Sequence, residues 1–202
     1  MKQLIKMSLL VLAILALLVN ASSAQVAAQR QLILRPVSDA LTLVGDNSDD
    51  SKFGPYFGGS VGYGLGYGIT LFAESGYGWT NYDSNNDLKL KQIPILGGAT
   101  YNFGPLLNSS IVQPYLGAAG GAFIYRQELN GNLVTVSGIE QKTTNFGLEG
   151  IAGLSFKINS KFAFDVRAKY DHVFSDENKP GLENQNWSAI GIGGGISYLF
   201  SF

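Results

Sequence analysis

Between Trp187 and Phe202 the side chains alternate in kind. Ile190, Ile192, Ile196, Tyr198, Phe200 and Phe202 fall on one parity, and Ala189, Gly191, Gly193, Gly195, Ser197 and Ser201 on the other. An extended strand turns successive side chains to opposite faces, so this segment has one bulky apolar face and one face of small residues. Lys161 to Phe174 repeats the pattern with charges: Phe162, Phe164, Val166, Ala168 and Tyr170 share one face, and Asp165, Arg167, Lys169 and Asp171 share the other. The same period of two runs through Thr143 to Ile158, Val112 to Gln127, Leu88 to Phe103, Ile69 to Tyr82 and Phe53 to Gly64. These are seven predicted strands.

The connections alternate as well. Leu65 to Gly68, Gly104 to Ile111 and Asn159-Ser160 are compact, whereas Asp83 to Asp87, Glu128 to Lys142 and Ser175 to Asn186 are polar and mostly longer. Short turns at one end and longer polar loops at the other describe an up-and-down barrel, whose two termini meet only with an even strand count. Gln31 to Val44, followed by the acidic stretch Gly45 to Ser51, supplies an eighth strand; Pro36 interrupts it, as proline can at a strand start or bulge. ITLFAESGY (Ile69 to Tyr77) also aligns without gaps to FAFDVRAKY (Phe162 to Tyr170), which sets Glu74 in the inward role of Arg167 and matches Tyr77 to Tyr170 near the loop-end rim. The expected fold is therefore all-β, an eight-stranded antiparallel up-and-down transmembrane β-barrel.

A soluble barrel could carry the same alternation with its apolar side inward. The amino terminus argues for export instead: Lys2 and Lys6 precede an apolar run from Leu9 to Val19 and the small-residue site Ser22-Ser23-Ala24. That run is too short to cross a bilayer as a helix, which takes about 20 residues, so residues 1–24 read as a cleaved signal peptide and 25–202 as the barrel domain. Aromatic residues sort by strand end, with Tyr77, Trp79, Tyr170, Phe174 and Trp187 toward the loops and Tyr101, Phe103, Phe156, Phe162, Phe200 and Phe202 toward the turns. Two such belts suit the two interfaces of a membrane.

Composition narrows the partners. The chain of 202 residues has 14 Lys and Arg against 15 Asp and Glu; without Lys2 and Lys6, 12 basic side chains remain and the net charge is −3, which gives no nucleic acid a purchase. With no cysteine, neither disulfides nor thiolate metal sites can support the fold. The 26 glycines and 12% aromatics, without a second long apolar run, fit strands that satisfy their backbone by closing on themselves.

Four stretches carry a family likeness: SDALTLVGDNSDDSKFGPYFGG (Ser38 to Gly59), KQIPILGGATYNF (Lys91 to Phe103), QPYLGAAGGAFIY (Gln113 to Tyr125) and GISYLFSF (Gly195 to Phe202). The chain resembles the outer-membrane β-barrel superfamily, which includes the OmpA transmembrane domain, OmpX and the PorT-like barrels of Bacteroidota. The resemblance implies an outer-membrane location and an assembly signal at Ile196, Tyr198, Phe200 and Phe202, read by the barrel assembly machinery; Gly194 departs from it where an apolar residue is expected. It says little about function, because one fold hosts many.

Candidate chemistry is sparse. His172, the single histidine, could pair with Ser175 or Ser188 as a nucleophile-base couple, but its parity places it with Tyr170 and Phe174 toward lipid, so no enzymatic site is expected. Asp83, Asn85 and Asp87 have the spacing that opens a calcium loop, yet Leu88 stands where its glycine belongs and no bidentate Glu follows. No cofactor or metal is expected. The inward charges Glu74, Glu149, Lys157, Asp165, Arg167, Lys169 and Asp171 are expected to interlock as an ion-pair network, because eight strands leave an interior only wide enough for side chains. The acidic loops (Asp46, Asp49, Asp50; Asp176, Glu177, Glu183) would meet solvent or, through divalent cations, lipopolysaccharide. The expected role is that of a monomeric structural or surface-interacting barrel; a narrow pore for small solutes is the alternative, and a lipid-modifying enzyme the next.

Overall fold

A computed structural model describes residues 30–45, 51–82, 87–107, 109, 111–136, 138–174 and 187–201. The expected signal peptide, residues 46–50 of the acidic stretch, most of Asp83 to Asp87, the whole loop Ser175 to Asn186, and Phe202 lie outside them. Eight long strands form the wall: β1 (Gln31–Val44), β2 (Gly54–Gly66), β3 (Ile69–Asn81), β4 (Leu88–Asn102), β5 (Val112–Leu129), β9 (Lys142–Lys157), β10 (Phe162–Val173) and β11 (Trp187–Ser201). Each pairs antiparallel with its neighbours in chain order, β5 pairs with β9, and β1 pairs with β11. The sheet thus closes, which leaves no unpaired edge to face hydrocarbon. Among the described residues no helix is long and apolar enough to cross a membrane.

The strand expected at Gln31 to Val44 has those bounds, and its ragged alternation has a cause. Ile33, Val37, Leu41 and Leu43 point inward and are buried while Leu32, Leu34 and Ala40 point outward, so apolar residues occupy both faces. Pro36 needs no bulge. The ladder to β11 runs from Leu34↔Tyr198 to Val37↔Gly195 with the same register on both sides of a gap at Arg35 and Pro36, while Pro36 keeps its place opposite Gly59 of β2.

The polar stretch Glu128 to Lys142 is more ordered than the expectation of a loop. β5 continues to Leu129, and Asn130-Gly131, both at positive φ (51° and 82°), turn the chain into β6 (Asn132–Leu133), which pairs back on Glu128 and Leu129. Asn-Gly is the residue pair such a hairpin turn favours. A second small hairpin follows, β7 (Thr135–Val136) against β8 (Ile139–Glu140).

At the opposite end the connections are tight. Gly66, Tyr67 and Gly68, all at positive φ, make the β2–β3 turn, Asn159 Oδ1 accepts from the backbone N–H of Lys161 and Phe162, and the four-residue helix α1 (Gly104–Leu107) fills the β4–β5 turn. Gly104 of α1 has no room for a side chain, since an added Cβ would stand 2.8 Å from the Gln113 amide carbon.

Glycine has a second use in the wall. An added Cβ at Gly76 would lie 2.4 Å from the Tyr56 hydroxyl, at Gly153 2.4 Å from the Tyr115 ring, and at Gly147 2.7 Å from the Phe123 ring. Large lumen side chains therefore fit only because the facing strand is bare backbone at those points. Gly194, where the expected pattern wanted an apolar residue, would place a Cβ 2.1 Å from the Asp165 carbonyl oxygen of β10. Close approach of two backbones excludes the larger residue.

Candidate functional site: the barrel lumen and its outer rim

Inward-pointing residues form three layers between the loop end and the turn end. Nearest the loops is an apolar layer: Leu41, Leu43, Leu90, Phe123, Tyr125, Val173, Trp187 and Ala189. Trp187 corrects the expected outer aromatic belt. It is only 7% exposed and stacks on Tyr125 at 6.1 Å, which itself stacks on Phe123, because it shares the parity of Ala189 rather than that of Ile190. Tyr77, Tyr170 and Phe174 do face outward at that end, with Trp79 beside Tyr77 at 5.7 Å.

The middle layer holds the charges. Arg167 donates from Nε and Nη2 to the two oxygens of Asp39 (3.1 and 2.7 Å) and from Nη1 and Nη2 to the two oxygens of Glu74 (2.7 and 2.8 Å). Its side chain is 1% exposed, and those of Asp39 and Glu74 are 0% and 2%. The guanidinium fork is matched by a carboxylate on each side, the geometry in which such pairs are strongest. Tyr56 links this group to the next: its hydroxyl donates to Glu74 Oε1 at 3.3 Å, and Lys169 Nζ lies 4.3 Å from its ring centroid. Lys169 donates to Glu149 Oε2 at 3.0 Å and approaches Asp171 Oδ2 at 3.3 Å without hydrogen-bond alignment. Glu149 and Asp171 are directly opposed across β9 and β10, so one ammonium separates two facing carboxylates.

Asp165 sits nearer the turns. Ser197 donates to its Oδ2 at 2.6 Å and accepts from Arg35 Nε at 2.8 Å, with Arg35 and Asp165 3.4 Å apart. Below them Gln31, Asn102, Gln113 and Ser155 form a polar floor. The cavity beside Arg35, Glu74 and Arg167 measures about 10 Å³, room for about one water.

Of the seven residues expected in the lumen, six lie in this layer. Lys157 does not: its parity is inward, but at the turn-end mouth it is half-exposed and joins no ion pair among the described residues. Conversely Arg35, Asp39, Tyr56 and Ser197 belong to the layer though they are not among the seven expected. The parity of β1 carries Arg35 and Asp39 with the inward Ile33 and Val37, but the apolar residues on its other face mask that signal.

Of the assembly-signal residues, Ile196 and Phe200 face outward and exposed, Tyr198 packs edge-on against Phe162 and Phe200, and Phe202 is outside the described residues. His172 also faces outward at the loop-end rim. Its Nδ1 is 3.0 Å from Ser188 Oγ, to which the Tyr170 hydroxyl also donates at 3.0 Å, and its ring meets Phe174 edge-on at 4.8 Å. Among the described residues no carboxylate hydrogen-bonds the imidazole, and Ser175, the other expected partner, lies outside them. Asp83 and Asn85 fall outside the described residues, and among those described no three His, Cys, Asp or Glu side chains cluster as metal ligands.

A closed wall of eight strands, an apolar outward face and a lumen filled by side chains define a transmembrane barrel of the outer membrane. The chain belongs to the family described as the outer membrane protein beta-barrel domain, which matches residues 11–198. Among solved structures it is similar to Neisserial surface protein A, with a TM-score of 0.61 and 17% identity over 84% of this chain and 97% of that one. Outer membrane protein W of E. coli matches with a TM-score of 0.55 and 15% identity, covering 86% of this chain and 99% of that one. Ail, the attachment invasion locus protein of Yersinia pestis, matches with a TM-score of 0.54 and 13% identity over 85% and 99%. At these identities the likeness is one of fold. No curated protein matches the chain in sequence.

Proposed function

We propose that the protein is a sealed outer-membrane barrel with a structural or surface-interacting role, its specificity carried by the loops at the end opposite the tight turns. The observation that carries this is the stacking of an apolar layer on a buried ion-pair layer: any solute crossing the lumen would have to displace Trp187 and Phe123 and then separate Arg167 from two carboxylates. Loops on a rigid scaffold are where binding residues concentrate. The architecture shared with Ail, whose name refers to attachment and invasion, is consistent with a surface role. In this proposal residues 1–24 are removed on export, and the outward Ile196, Tyr198 and Phe200, with Phe202, guide assembly.

One observation favours a second reading, a narrow path for cations. Three lumen cations (Arg35, Arg167, Lys169), the last two buried, meet five carboxylates (Asp39, Glu74, Glu149, Asp165, Asp171), and Glu149 Oε1, Asp165 Oδ1 and both Asp171 oxygens accept no hydrogen bond from the described residues. Conductance of the purified protein in planar bilayers separates the two. A sealed barrel passes no steady current, and a reproducible cation-selective step would overturn the first proposal. An enzymatic role is tested by His172→Ala, which should leave membrane lipid composition unchanged.

A further inference from the structure

Strand register brings together three cations that lie far apart in sequence. Arg126 of β5 stands directly opposite Lys91 of β4 on one side and directly opposite Lys142 of β9 on the other. Lys89 is one inter-strand step nearer the loops, opposite Glu128. All these positions have the outward parity of their strands, Arg126 and Lys142 exposed and Lys91 and Lys89 half-exposed. Like charges directly opposed in a sheet destabilise it. Only Lys91 is relieved, by a hydrogen-bonded ion pair with Glu128; Lys89, Arg126 and Lys142 make no ion pair with any described residue. Cations that no described residue neutralises suit an anion supplied from outside the chain.

The surroundings say what kind. Lys91 Nζ is 6.0 Å from the ring centroid of Tyr77, which contacts Trp79, so the row borders the outward aromatics that sit at a membrane interface. One step toward the bilayer centre Ile93 and Ile124 face each other on the same outer surface. Between the isoleucines and the charges lies a cleft of about 100 Å³, lined by Tyr77, Lys91, Ile93, Ile124, Arg126 and Glu128. Cations above and aliphatic side chains below match a molecule with an anionic head and hydrocarbon tails, whereas a soluble anion would have no use for the isoleucines. Arginine's fork and lysine's ammonium both bind phosphate oxygens strongly.

We propose that the row Lys91–Arg126–Lys142, with Lys89, is a docking surface for a phosphate-bearing glycolipid of the outer leaflet. It takes the phosphate on the cations and an acyl chain on Ile93 and Ile124. The inference does not depend on a sealed lumen, since a conducting barrel would present the same row.

The test is native mass spectrometry of the full chain in detergent with added diphosphoryl lipid A, folding of each variant being checked by heat-modifiable gel mobility. The wild-type protein retains the lipid, and R126Q/K142Q weakens retention by about tenfold or more, as loss of charge-assisted phosphate contacts requires. Glu128→Gln frees Lys91 and tightens it. The equal charge change K157Q/K161Q at the turn end leaves retention as in wild type, lipid A stripped of its phosphates is not retained, and inorganic phosphate at millimolar concentration does not displace it. Unchanged retention in R126Q/K142Q, equal loss in the turn-end variant, or equal retention of the stripped lipid would overturn the proposal. So would displacement by inorganic phosphate, which would assign the row to a soluble anion.

Discussion

Replacing Arg167 by Met tests the central layer of the lumen most directly. Methionine keeps much of the packed volume but removes four hydrogen bonds and the charge that bridges Asp39 and Glu74. An exposed ion pair contributes less than about 1 kcal/mol, but here the three side chains are at most 2% exposed, so the cost is that of stranding two carboxylates in a dry interior. Breaking a buried pair from one side typically costs about 3–5 kcal/mol, a factor of roughly 10² to 10³ or more in the folding equilibrium. The net worth of the group is much smaller than that penalty, so the triple variant R167M/D39N/E74Q should recover most of the loss and lie within about 2 kcal/mol of wild type. Tyr56 can still donate to the amide oxygen introduced at position 74. The assay is urea unfolding from phosphatidylcholine vesicles, followed by tryptophan fluorescence and by loss of heat-modifiable mobility. A single variant that loses less than about 1 kcal/mol, or a triple variant as unstable as the single one, would refute the idea that the carboxylates are desolvated and held by Arg167.

Three further outcomes follow from the same geometry. Brominated acyl chains should quench Trp79, seen alone in a Trp187→Phe variant, and leave Trp187 bright in a Trp79→Phe variant; the reverse pattern would invert the assignment of faces. Gly194→Ala should destabilise the barrel by about 1–3 kcal/mol in the same unfolding assay, because a Cβ there meets the Asp165 carbonyl, and a neutral result would show that β10 and β11 can part at no cost. Arg167→Lys should lose nearly as much stability as Arg167→Met, since an ammonium cannot engage two carboxylates bidentately, and full stability would show that charge alone suffices.

Most of the wall was legible in the chain itself. A period of two needs no tertiary information, because the pleat assigns every residue to one of two faces, and a bilayer outside and a narrow lumen inside demand different residues on each. Gln31 to Val44 was legible mainly through the need for an even strand count, and Arg167, Lys169, Glu74 and Glu149 through parity alone. Who partners whom was not legible. Asp39 meets Arg167 across 128 positions of sequence, and Arg126 meets Lys91 and Lys142, only because each strand settles at one register against its neighbours once the barrel closes. The layering of the lumen was hidden for a related reason. Alternation tells which way Trp187 and Leu41 point, but the height at which they pack in the lumen depends on strand tilt and on glycines of the neighbouring strands, and these are properties of the closed sheet rather than of any single strand.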